Sequence, residues 1–385
     1  MPNYRRSIAV LVETGDSWGR NVVEAVARFA QKARWSLVIS PRDEDGRLRL
    51  PSRWKGNGAV AMLRDTVMAN HLRNAQIPVV DVDVLMMQET WVGRVVTDDR
   101  VRIAMAFDHF RSRNLKHFAY FAPKVNRYPD QRSHLFQKVV EAAGFECSGF
   151  DQLERNELGW YADPELVANW IRKQPWPLAV FAPDPVPARQ LAEICQWEGI
   201  HIPDDVAILA GDTDDLLCSI AFPPISSVEL DCHRIGHEAC MMLDRMMSGR
   251  PAPKRPRYIP PLRVISRHST EILAVADQEL AEVLRFIRSR ACEGIKVPDI
   301  LRVYPISRRS LEQKFRTFLG RSPSEEIRRT RLEHARRLLV ESDMSIASIA
   351  AACSFASNIE LSHAFRKYLG IKPSDLRPVK REREA

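Results

Sequence analysis

The sequence predicts a two-lobed α/β domain with parallel sheets, followed by an all-α domain with two helix-turn-helix motifs. Over roughly the first 270 residues, short apolar runs alternate with segments of helical periodicity. A 50-residue repeat occupies the C-terminal region, and the basic charge of the chain is concentrated there. With 385 residues, 45% of them hydrophobic, the chain is too long for one core and has enough apolar content for two or three domains.

The first lobe is predicted from five short apolar runs. They cover residues 8–12, 37–39, 59–63, 78–82 and 94–96. Residues 18–32 and 101–113 lie between or after them and carry apolar side chains at helical spacing, such as Val22, Val26 and Phe29. The predicted order is βαβαβα, which is typical of a parallel sheet covered on both faces.

A second series of the same kind begins at His117. Strands are predicted at 117–122, 178–182, 206–210 and 226–230. Helices are predicted at about 131–143, 164–173 and 187–198, and a last long helix ends at Met247. Two similar lobes are therefore expected. We place the two-lobed domain at 1–268, a linker at 269–277 and the helical domain at 278–385.

Polar and aromatic side chains follow the predicted strands, where ligands of open α/β sheets bind. Carboxylates and an arginine can hydrogen-bond to vicinal hydroxyls, and an indole can stack on a sugar ring, so a polyol fits. A single aspartate after a strand more often caps the next helix, so only the convergence of several supports a site. The candidate ligand-binding residues are Asp16, Trp18, Asp81, Asp98, Arg132, Asp184 and Asp212.

The C-terminal repeat superposes residues that lie 50 positions apart. Its matching pairs include Ser307 with Ser357, Phe315 with Phe365, Gly320 with Gly370 and Pro323 with Pro373. After an opening helix at about 278–289, each unit has a supporting helix, at 297–303 or 345–354, and a second helix capped by Ser307 or Ser357. A long helix at 324–342 joins the units and fixes their spacing.

Each second helix has an inward apolar face and an outward polar face. Leu311, Phe315 and Leu319 lie inward in the first unit, and Leu361, Phe365 and Leu369 lie inward in the second. Outward arginine, glutamine and glutamate side chains can contact guanine, adenine and cytosine in the major groove, and an isoleucine can contact a thymine methyl. The candidate DNA-binding residues are Arg308, Arg309, Glu312, Gln313, Arg316, Asn358, Ile359, Ser362, His363 and Arg366.

Charge supports this division of roles. Residues 1–248 hold 29 Lys and Arg against 33 Asp and Glu. Residues 249–276 hold 6 against one and residues 277–385 hold 22 against 15, so the positive charge behind the net +8 lies towards the C-terminus. This asymmetry is expected when only one domain touches phosphate, although a solvated basic surface explains it equally well.

Several classes of protein are disfavoured. Seven cysteines without a CxxC pair indicate reduced thiols, and the chain opens with neither a secretion signal nor an apolar span, so we expect a cytoplasmic protein without membrane contact. His233, His237 and Cys240 share one face of a predicted helix, but core packing is favoured over zinc because no fourth ligand is evident. No P-loop, GxSxG or HExxH motif occurs, so neither an enzyme nor a cofactor is predicted.

The chain resembles two regulator families, one over each part. GRNVVEAV (19–26), YPDQRSHLF (128–136), AILAGDTDD (207–215) and PPISSVELDCHRIGHEA (223–239) resemble the periplasmic-binding-protein-like sensor domain of LacI/GalR regulators. Residues 280–377 resemble the AraC/XylS DNA-binding domain, and the order of the domains resembles XylR-like transcription regulators.

The resemblance implies roles for individual residues. It places Arg132, Asp184 and Asp212 on the effector, and Arg309, Glu312 and Gln313 on DNA bases. Pro305 and Ser354 stand where the AraC/XylS family usually has a turn glycine, so an unusual first turn is expected. VDVDVLMM (80–87) also departs from the glycine- or serine-rich segment expected there.

Three functions compete. A transport-binding protein accounts only for the first domain and requires a signal peptide, and a DNA-repair methyltransferase accounts only for the second and requires an activated cysteine. A sugar-responsive transcription regulator accounts for both. The resemblance implies an activator of sugar-catabolic genes, with a pentose such as xylose as effector and double-stranded DNA, RNA polymerase and a second copy of the chain as partners.

Overall fold

The computed structural model describes residues 6–123, 131–151, 162–271, 278–342, 344–369 and 372–376. The chain forms two compact units, Met1–Ile272 and Leu273–Ala385. The first contains two parallel-sheet α/β lobes and the second is helical, so the predicted fold class is confirmed. Much of the predicted linker, residues 272–277, lies outside the described residues, and its limits stay a prediction.

The first lobe is built on a six-stranded sheet in which every pair of neighbouring strands is parallel. Strands β3 (Gly58–Ala61) and β5 (Gly93–Thr97) are buried throughout, as expected for a sheet covered by helices on both faces. In spatial order its strands are β2 (Trp35–Ile39), β1 (Arg6–Leu11), β3 (Gly58–Ala61), β4 (Val79–Asp81), β5 (Gly93–Thr97) and β11 (Arg257–Ile259).

The second lobe repeats this plan, with one antiparallel edge. Leu178 to Ala182 and Val206 to Ala210 are buried throughout and form the centre of its core. In spatial order its strands are β7 (Cys147–Phe150), β6 (His117–Phe121), β8 (Leu178–Ala182), β9 (Val206–Ala210), β10 (Ser226–Glu229) and β12 (Arg263–Ile265).

The helices of this unit connect strands and also carry the chain between the lobes. They are α1 (Ser17–Ala33), α2 (Thr66–Asn74), α3 (Asp99–Arg111), α4 (Gln131–Ala142), α5 (Pro164–Arg172), α6 (Pro185–Trp197), α7 (Asp215–Ile220) and α8 (Cys232–Met247). Helix α3 follows the first sheet but packs on α4 of the second lobe, and α8 follows the second sheet but packs on α1 of the first. The chain then adds β11 to the first sheet and β12 to the second, so the lobes are connected at several places.

The predicted βαβαβα order of the first lobe is wrong in two places. Between β2 and β3, residues 40–57 form no helix, because Pro41, Gly46, Pro51 and Gly56 interrupt any helical run. Residues 82–92, between β4 and β5, form no helix either. The predicted strands themselves are confirmed to within about two residues, which is the usual uncertainty at element ends. Helices α2 and α7 and strands β7, β11 and β12 were not predicted, since each is short.

The second unit contains the two predicted helix-turn-helix motifs. Its helices are α9 (Gln278–Arg290), α10 (Val297–Val303), α11 (Arg308–Leu319), α12 (Pro323–Glu341), α13 (Ile346–Ala352) and α14 (Asn358–Leu369). Leu311 and Phe315 are fully buried in one core, and Leu361 and Phe365 in another, which confirms their predicted inward orientation. The side chain of Leu369 lies outside the described set.

The turns of the two helix-turn-helix motifs both lack glycine, and each has a different backbone conformation. In the first, the Ile306 N–H donates to the Tyr304 carbonyl at 2.8 Å, so Pro305 is the central residue of a γ-turn. Proline suits that position, because its ring fixes φ at a negative value and no N–H is needed there. In the second, Ser354 adopts a φ of +55°, and its hydroxyl donates to the Cys292 carbonyl at 2.5 Å. The first turn is therefore unusual, as predicted.

Candidate ligand cleft and nucleic-acid interface

A cavity between the two lobes is lined from both sheets. From the first lobe come residues after β1, β3, β4 and β5, and from the second come residues on α3 and α4 and after β8 and β9. The carboxyl ends of parallel strands thus converge there, which is where open α/β sheets bind ligands. The lining is Asp16, Trp18, Met62, Arg64, Val82, Asp83, Val84, Thr97, Arg102, Arg132, Asp184 and Asp212.

This cavity has about 60 Å³ of free space and adjoins a second one of about 350 Å³. Val84, Thr97 and Arg132 line both cavities. The pair therefore forms one cleft. The smaller cavity, here called the inner one, has a mainly polar lining, and the larger, outer cavity has a more apolar lining that includes Asp98 and Tyr258.

Five of the seven predicted ligand residues line the inner cavity, namely Asp16, Trp18, Arg132, Asp184 and Asp212. Two of them also cap helices: the Asp16 carboxylate accepts from Gly19 N at 2.8 Å, and that of Asp184 accepts from Val186 N at 2.9 Å. Capping and cavity lining are therefore compatible roles for one aspartate.

The remaining two predicted residues lie elsewhere. Asp81 is fully buried beneath the cleft, where its carboxylate accepts from Arg94 Nε at 3.0 Å and from the backbone N–H of Leu63 and Asp83. Asp98 lies on the outer cavity and caps α3 by accepting from Arg100 N and Val101 N. The geometry gives Asp81 a structural role, because every contact it makes fixes a neighbouring segment.

Three lining residues were missing from the predicted set: Arg64, Asp83 and Arg102. Arg64 Nε lies 3.1 Å from Asp83 Oδ2, and both residues follow strands, so the strand-end rule was able to find them. Arg102 is only 2% exposed and sits one helical turn before Ala106, on the inward face of α3. The helical periodicity of residues 101–113 places Arg102 on the same face as Ala106, which is buried, so this signal was able to find Arg102.

A buried cluster of charges surrounds the inner cavity. Arg132 Nε lies 3.3 Å from Asp99 Oδ2, and Arg132 Nη1 donates to the Pro183 carbonyl at 3.1 Å. The positive charges of Arg102 and Arg132 hold the pKa of Asp99 below its ordinary value, although burial alone raises it. Burial raises the pKa of Asp212 to about 7, because desolvation outweighs the attraction of Arg102.

Part of this cluster lacks hydrogen-bond partners. Arg102 Nε lies 3.1 Å from Asp99 Oδ1. Among the described residues, however, neither of these atoms nor Arg102 Nη1 makes a hydrogen bond of acceptable geometry. Buried polar atoms without partners are rare and costly, so the inner cavity is suited to a ligand that supplies hydroxyl groups.

The lobes also touch directly beside the cavity. Asp214 of the second lobe caps its own helix α7 by accepting from Leu217 N at 2.9 Å. Its other carboxylate oxygen accepts from Ser17 N, at the start of α1 in the first lobe, also at 2.9 Å. One nearly buried carboxylate thus joins the first turns of two helices on opposite lobes, a favourable position for negative charge.

The face of α8 that carries His233, His237 and Cys240, for which core packing was favoured over zinc, is packed against neighbouring elements. The ring of His237 meets that of Phe29 edge-on, with centroids 5.5 Å apart, and Cys240 is fully buried. Nowhere in the described part of the chain do three His, Cys, Asp or Glu side chains converge as a metal site.

The outward faces of α11 and α14 carry the predicted DNA-binding residues. All ten are exposed or partly exposed, and Ile359 is 76% exposed, an unusual degree for a large apolar side chain on a helix. Ser307 accepts from Ser310 N at 3.1 Å, so α11 begins where its cap was predicted. Arg308 Nε lies 3.2 Å from Glu312 Oε1, and this surface pair leaves both groups accessible.

Over the described residues, no helix is long and apolar enough to cross a membrane.

Comparison with known proteins agrees with this geometry. Residues 107–270 match the model of a periplasmic binding protein-like domain, and residues 301–378 match that of a helix-turn-helix domain. The xylose operon regulatory protein of Escherichia coli (strain K12) is 26% identical over 388 residues, which cover 98% of each chain. The protein of the same name from Haemophilus influenzae is 24% identical over 383 residues, covering 96% of this chain and 97% of its own.

A solved structure, that of the xylose-binding transcription activator XylR, matches with a TM-score of 0.71 and 25% identity over 98% of this chain and 99% of its own. Fold, cleft and helix-turn-helix faces together define a DNA-binding transcription regulator with a periplasmic-binding-protein-like sensor domain. Over nearly its whole length the chain is similar to XylR-like regulators. These relatives are regulators and not enzymes, in agreement with the sequence-based expectation.

Proposed function

We propose that the chain is a sugar-controlled transcription activator whose effector binds in the cleft between the two lobes. The observation that carries this proposal is the buried Arg102 guanidinium, with two nitrogen atoms that lack hydrogen-bond partners among the described residues. A ligand that places oxygen atoms opposite them satisfies donors that otherwise destabilise the closed cleft.

The donor and acceptor balance of the cavity favours a neutral polyol. Arg102 and Arg132 offer only donors, and the carboxylates of Asp184 and Asp212 offer acceptors when ionised. A sugar hydroxyl both donates and accepts, so vicinal hydroxyls bridge an arginine and an aspartate. Trp18 completes the lining with an apolar face of the kind that packs on the C–H side of a sugar ring.

The proposed effector is a pentose, with D-xylose as the first candidate. The support is that the relatives matching nearly the whole chain carry xylose in their names. The small inner cavity, which adjoins a larger outer one, accommodates a monosaccharide better than an extended oligosaccharide.

Binding is proposed to act by shifting the population of lobe arrangements. A sugar held by residues of both lobes stabilises the closed form, to which the Ser17–Asp214 bond also contributes. The closed form then presents α11 and α14 to DNA, with Arg309, Glu312 and Gln313 on base edges of the first half of the site and Asn358, Ile359 and His363 on the second.

The cellular setting follows from the proposed role. The protein acts in the cytoplasm, where DNA and imported sugar meet, and as a homodimer that contacts RNA polymerase at promoters of sugar-catabolic genes. Expectations about the dimer and the polymerase rest on the resemblance to XylR-like regulators. Sedimentation of the purified chain with and without D-xylose tests the dimer directly.

A thermal-shift screen of monosaccharides tests the effector proposal. A ligand bound only by the folded state raises its stability by mass action, by about 2.7 kcal/mol at one hundred times its Kd. D-xylose is expected to raise the Tm of the wild-type chain but not that of Arg102→Met, which removes the unpartnered donors. Arg28→Met is a matched control, since Arg28 is an exposed arginine on α1 outside the cleft lining. Equal D-xylose stabilisation of Arg102→Met and the wild type would refute the assignment of this cleft.

A further inference from the structure

The last described segment of the sensor unit is fastened to the second lobe by buried hydroxyl groups. Ser226, Ser269 and Thr270 are all fully buried. Ser269 Oγ donates to the Ile208 carbonyl at 2.6 Å and accepts from Ser226 N at 2.8 Å. The first unit ends at Ile272, so this exit segment, residues 263–271, which includes the start of the predicted linker, is the part of the sensor through which the chain continues to the DNA-binding unit.

Hydrogen-bonding chemistry fixes the direction of every bond that holds Thr270. Arg113 Nη1 lies 3.1 Å from His109 Nδ1, and a guanidinium can only donate, so Nδ1 accepts and the His109 proton is on Nε2. Nε2 therefore donates to Thr270 Oγ1 at 2.7 Å, and Thr270 Oγ1 donates to Ser226 Oγ at 2.6 Å. Ser226 Oγ in turn donates to the Arg267 carbonyl at 2.9 Å.

Arg113 holds the same segment a second time. Its Nε donates to the Thr270 carbonyl at 2.7 Å, and its Nη2 donates to Ser266 Oγ at 2.8 Å. Burial and the charge of Arg113 lower the pKa of His109 to about 3, so the imidazole stays neutral and keeps this tautomer. The exit segment is thus bound at its side chains and at its backbone.

The helix that carries His109, and that ends two residues before Arg113, begins in the effector cleft. Helix α3 has 13 residues and is therefore about 20 Å long. Arg102, Ala106 and His109 are spaced by four and three residues, so they lie along one face of α3. Arg102 lines the cleft near one end of this face, and His109 contacts Thr270 near the other.

A second connection runs through the neighbouring strand. Asp212 lines the cleft, and the next residue, Thr213, lies 2.9 Å from Ser227 through the two hydroxyl oxygens. Ser227 Oγ accepts from Arg267 Nη1 at 2.8 Å, and Arg267 also donates to the Ile225 carbonyl. Both ends of the segment 266–270 are thus linked to elements that line the cleft.

We propose that Thr270, which is held by His109 and Arg113, is the positioning residue that couples effector binding in the cleft to the DNA-binding unit. In this proposal, helix α3 transmits the movement from the cleft to Thr270. The inference rests on the proposed function, since it assumes that an effector acts on the Arg102 end of α3. It assigns to Thr270 no contact with sugar or DNA. A sugar that draws Arg102 into new hydrogen bonds shifts α3. The exit segment moves with it, because His109 on α3 and Arg113, two residues beyond the end of α3, hold the segment through partly buried, directional hydrogen bonds.

Thr270→Val tests the inference, because it removes the hydroxyl while nearly preserving the shape of the side chain. The readouts are the Kd for D-xylose from calorimetry and the Kd for a selected operator duplex with and without D-xylose. We expect D-xylose affinity within about twofold of the wild type, but a loss of most of the sugar-dependent change in operator affinity, which is typically 5- to 150-fold in allosteric proteins. Thr270→Ser, which keeps the hydroxyl, should restore the response.

The control is Asp108→Ala, on the exposed side of the same helix, which should respond to sugar like the wild type. A Thr270→Val protein that binds D-xylose and retains the full operator response would overturn the proposal. Far-ultraviolet circular dichroism and Tm of each variant show whether the fold is kept.

Hydrogen exchange without any ligand gives a test that is independent of the sugar. Arg102→Met changes a side chain at the cleft end of α3, away from the exit segment, and we expect exchange of the amides of residues 267–271 to become about tenfold faster than in wild type and in Asp108→Ala. The amides of β8 serve as the internal reference. Unchanged exchange at 267–271 in Arg102→Met refutes the coupling, whereas a wild-type chain that fails to bind D-xylose refutes only the effector assignment.

Discussion

Three aspartates of the sensor unit, Asp16, Asp98 and Asp184, each end the segment after a strand and cap the following helix. A capping carboxylate uses one oxygen for the first turn of the helix, and its position at the carboxyl edge of the sheet brings it near the cleft. This geometry explains why strand-end aspartates were a sound guide to the cavity. It also explains why the rule includes residues such as Asp98, whose contacts are mainly those of a cap.

The position of an aspartate after a strand does not distinguish a ligand-binding residue from one that is buried and paired with another side chain. Asp81 satisfies the same pattern, but Arg94 occupies its carboxylate, and Arg94 also donates to the carbonyls of Met86 and Glu89. The pair thereby anchors the segment that carries Asp83 and Val84 into the cleft. Sequence alone did not reveal this pairing, because the bond joins neighbouring strands whose register is a tertiary property.

The raised pKa of Asp212 predicts pH-dependent effector binding. Burial raises this pKa to about 7, and the ionised form is the stronger acceptor for sugar hydroxyls. D-xylose affinity should therefore fall as pH drops below about 7, by as much as tenfold per pH unit, and should level off above it. Calorimetry between pH 5.5 and 8.5, conditions chosen to span about that pKa, measures this.

Two variants make the pH prediction specific. Asp212→Asn should weaken binding and remove its pH dependence. Burial also raises the pKa of Asp81 to about 7, yet Asp81 lies outside the cavity lining, so Asp81→Asn should keep the pH dependence if it folds. An unchanged profile in Asp212→Asn would contradict the role assigned to this carboxylate.

Residues of α11 and α14 make separate predictions about DNA. Arg309→Ala should lower operator affinity by about 1–3 kcal/mol and relax base preference at one position of the site, since a bidentate contact to guanine is lost. Selection from a random duplex library, repeated with the variant, measures the preference. A uniform loss of affinity across all sequences would instead assign Arg309 to the phosphate backbone.

At the scale of elements, α12 (Pro323–Glu341) joins the two helix-turn-helix units. Arg331 on this helix donates to three backbone carbonyls: Ala291 at 2.8 Å, Ile295 at 2.9 Å and Ser354 at 3.1 Å. One guanidinium thus ties the end of the opening helix, the loop before α10 and the second turn together. The repeat predicted both units and α12, but it did not predict the bonds of Arg331. Every residue has a backbone carbonyl, so the sequence does not indicate which carbonyls accept a hydrogen bond.

Replacing Arg331 by methionine should destabilise the DNA-binding unit. Three partly buried carbonyls lose their donor, so we expect a loss of roughly 2–4 kcal/mol in the free energy of unfolding. Arg328→Met is the matched control, since Arg328 is an exposed arginine on the same helix whose one described bond reaches the Tyr368 hydroxyl. Denaturant titration of the full chain should show a lower unfolding midpoint for the helical unit in Arg331→Met only. Equal midpoints for Arg331→Met and the wild type would show that these hydrogen bonds do not stabilise the unit.

At the scale of the whole molecule, the lobes of the sensor are joined by the chain and by the bond between Asp214 and Ser17 N. Most of the α/β architecture was predictable, because buried strands are continuous apolar runs and the helices between them are amphipathic. The edge strands β11 and β12, of three residues each, were not predictable, since such short segments acquire strand geometry only by pairing.

Asp214→Ala should weaken effector binding without touching the effector. It removes the bond between the lobes as well as the cap of α7, so the closed form is less populated and D-xylose affinity should fall about fivefold. Asp163→Ala is the control, because Asp163 caps α5 of the same lobe through Leu166 N and lies outside the cleft lining. Both variants should lose about 1 kcal/mol of stability from the cap, and only the first should lose sugar affinity.

Operator binding by the full chain during a D-xylose titration shows whether a sugar in the cleft controls DNA binding. With a selected duplex and fluorescence anisotropy as readout, saturating sugar should change the operator Kd of the wild type by at least about fivefold. Arg102→Met should bind the duplex but no longer respond to sugar. An operator Kd that stays constant for the wild type across D-xylose and the other monosaccharides, while the chain still binds DNA, would contradict control by a sugar in this cleft.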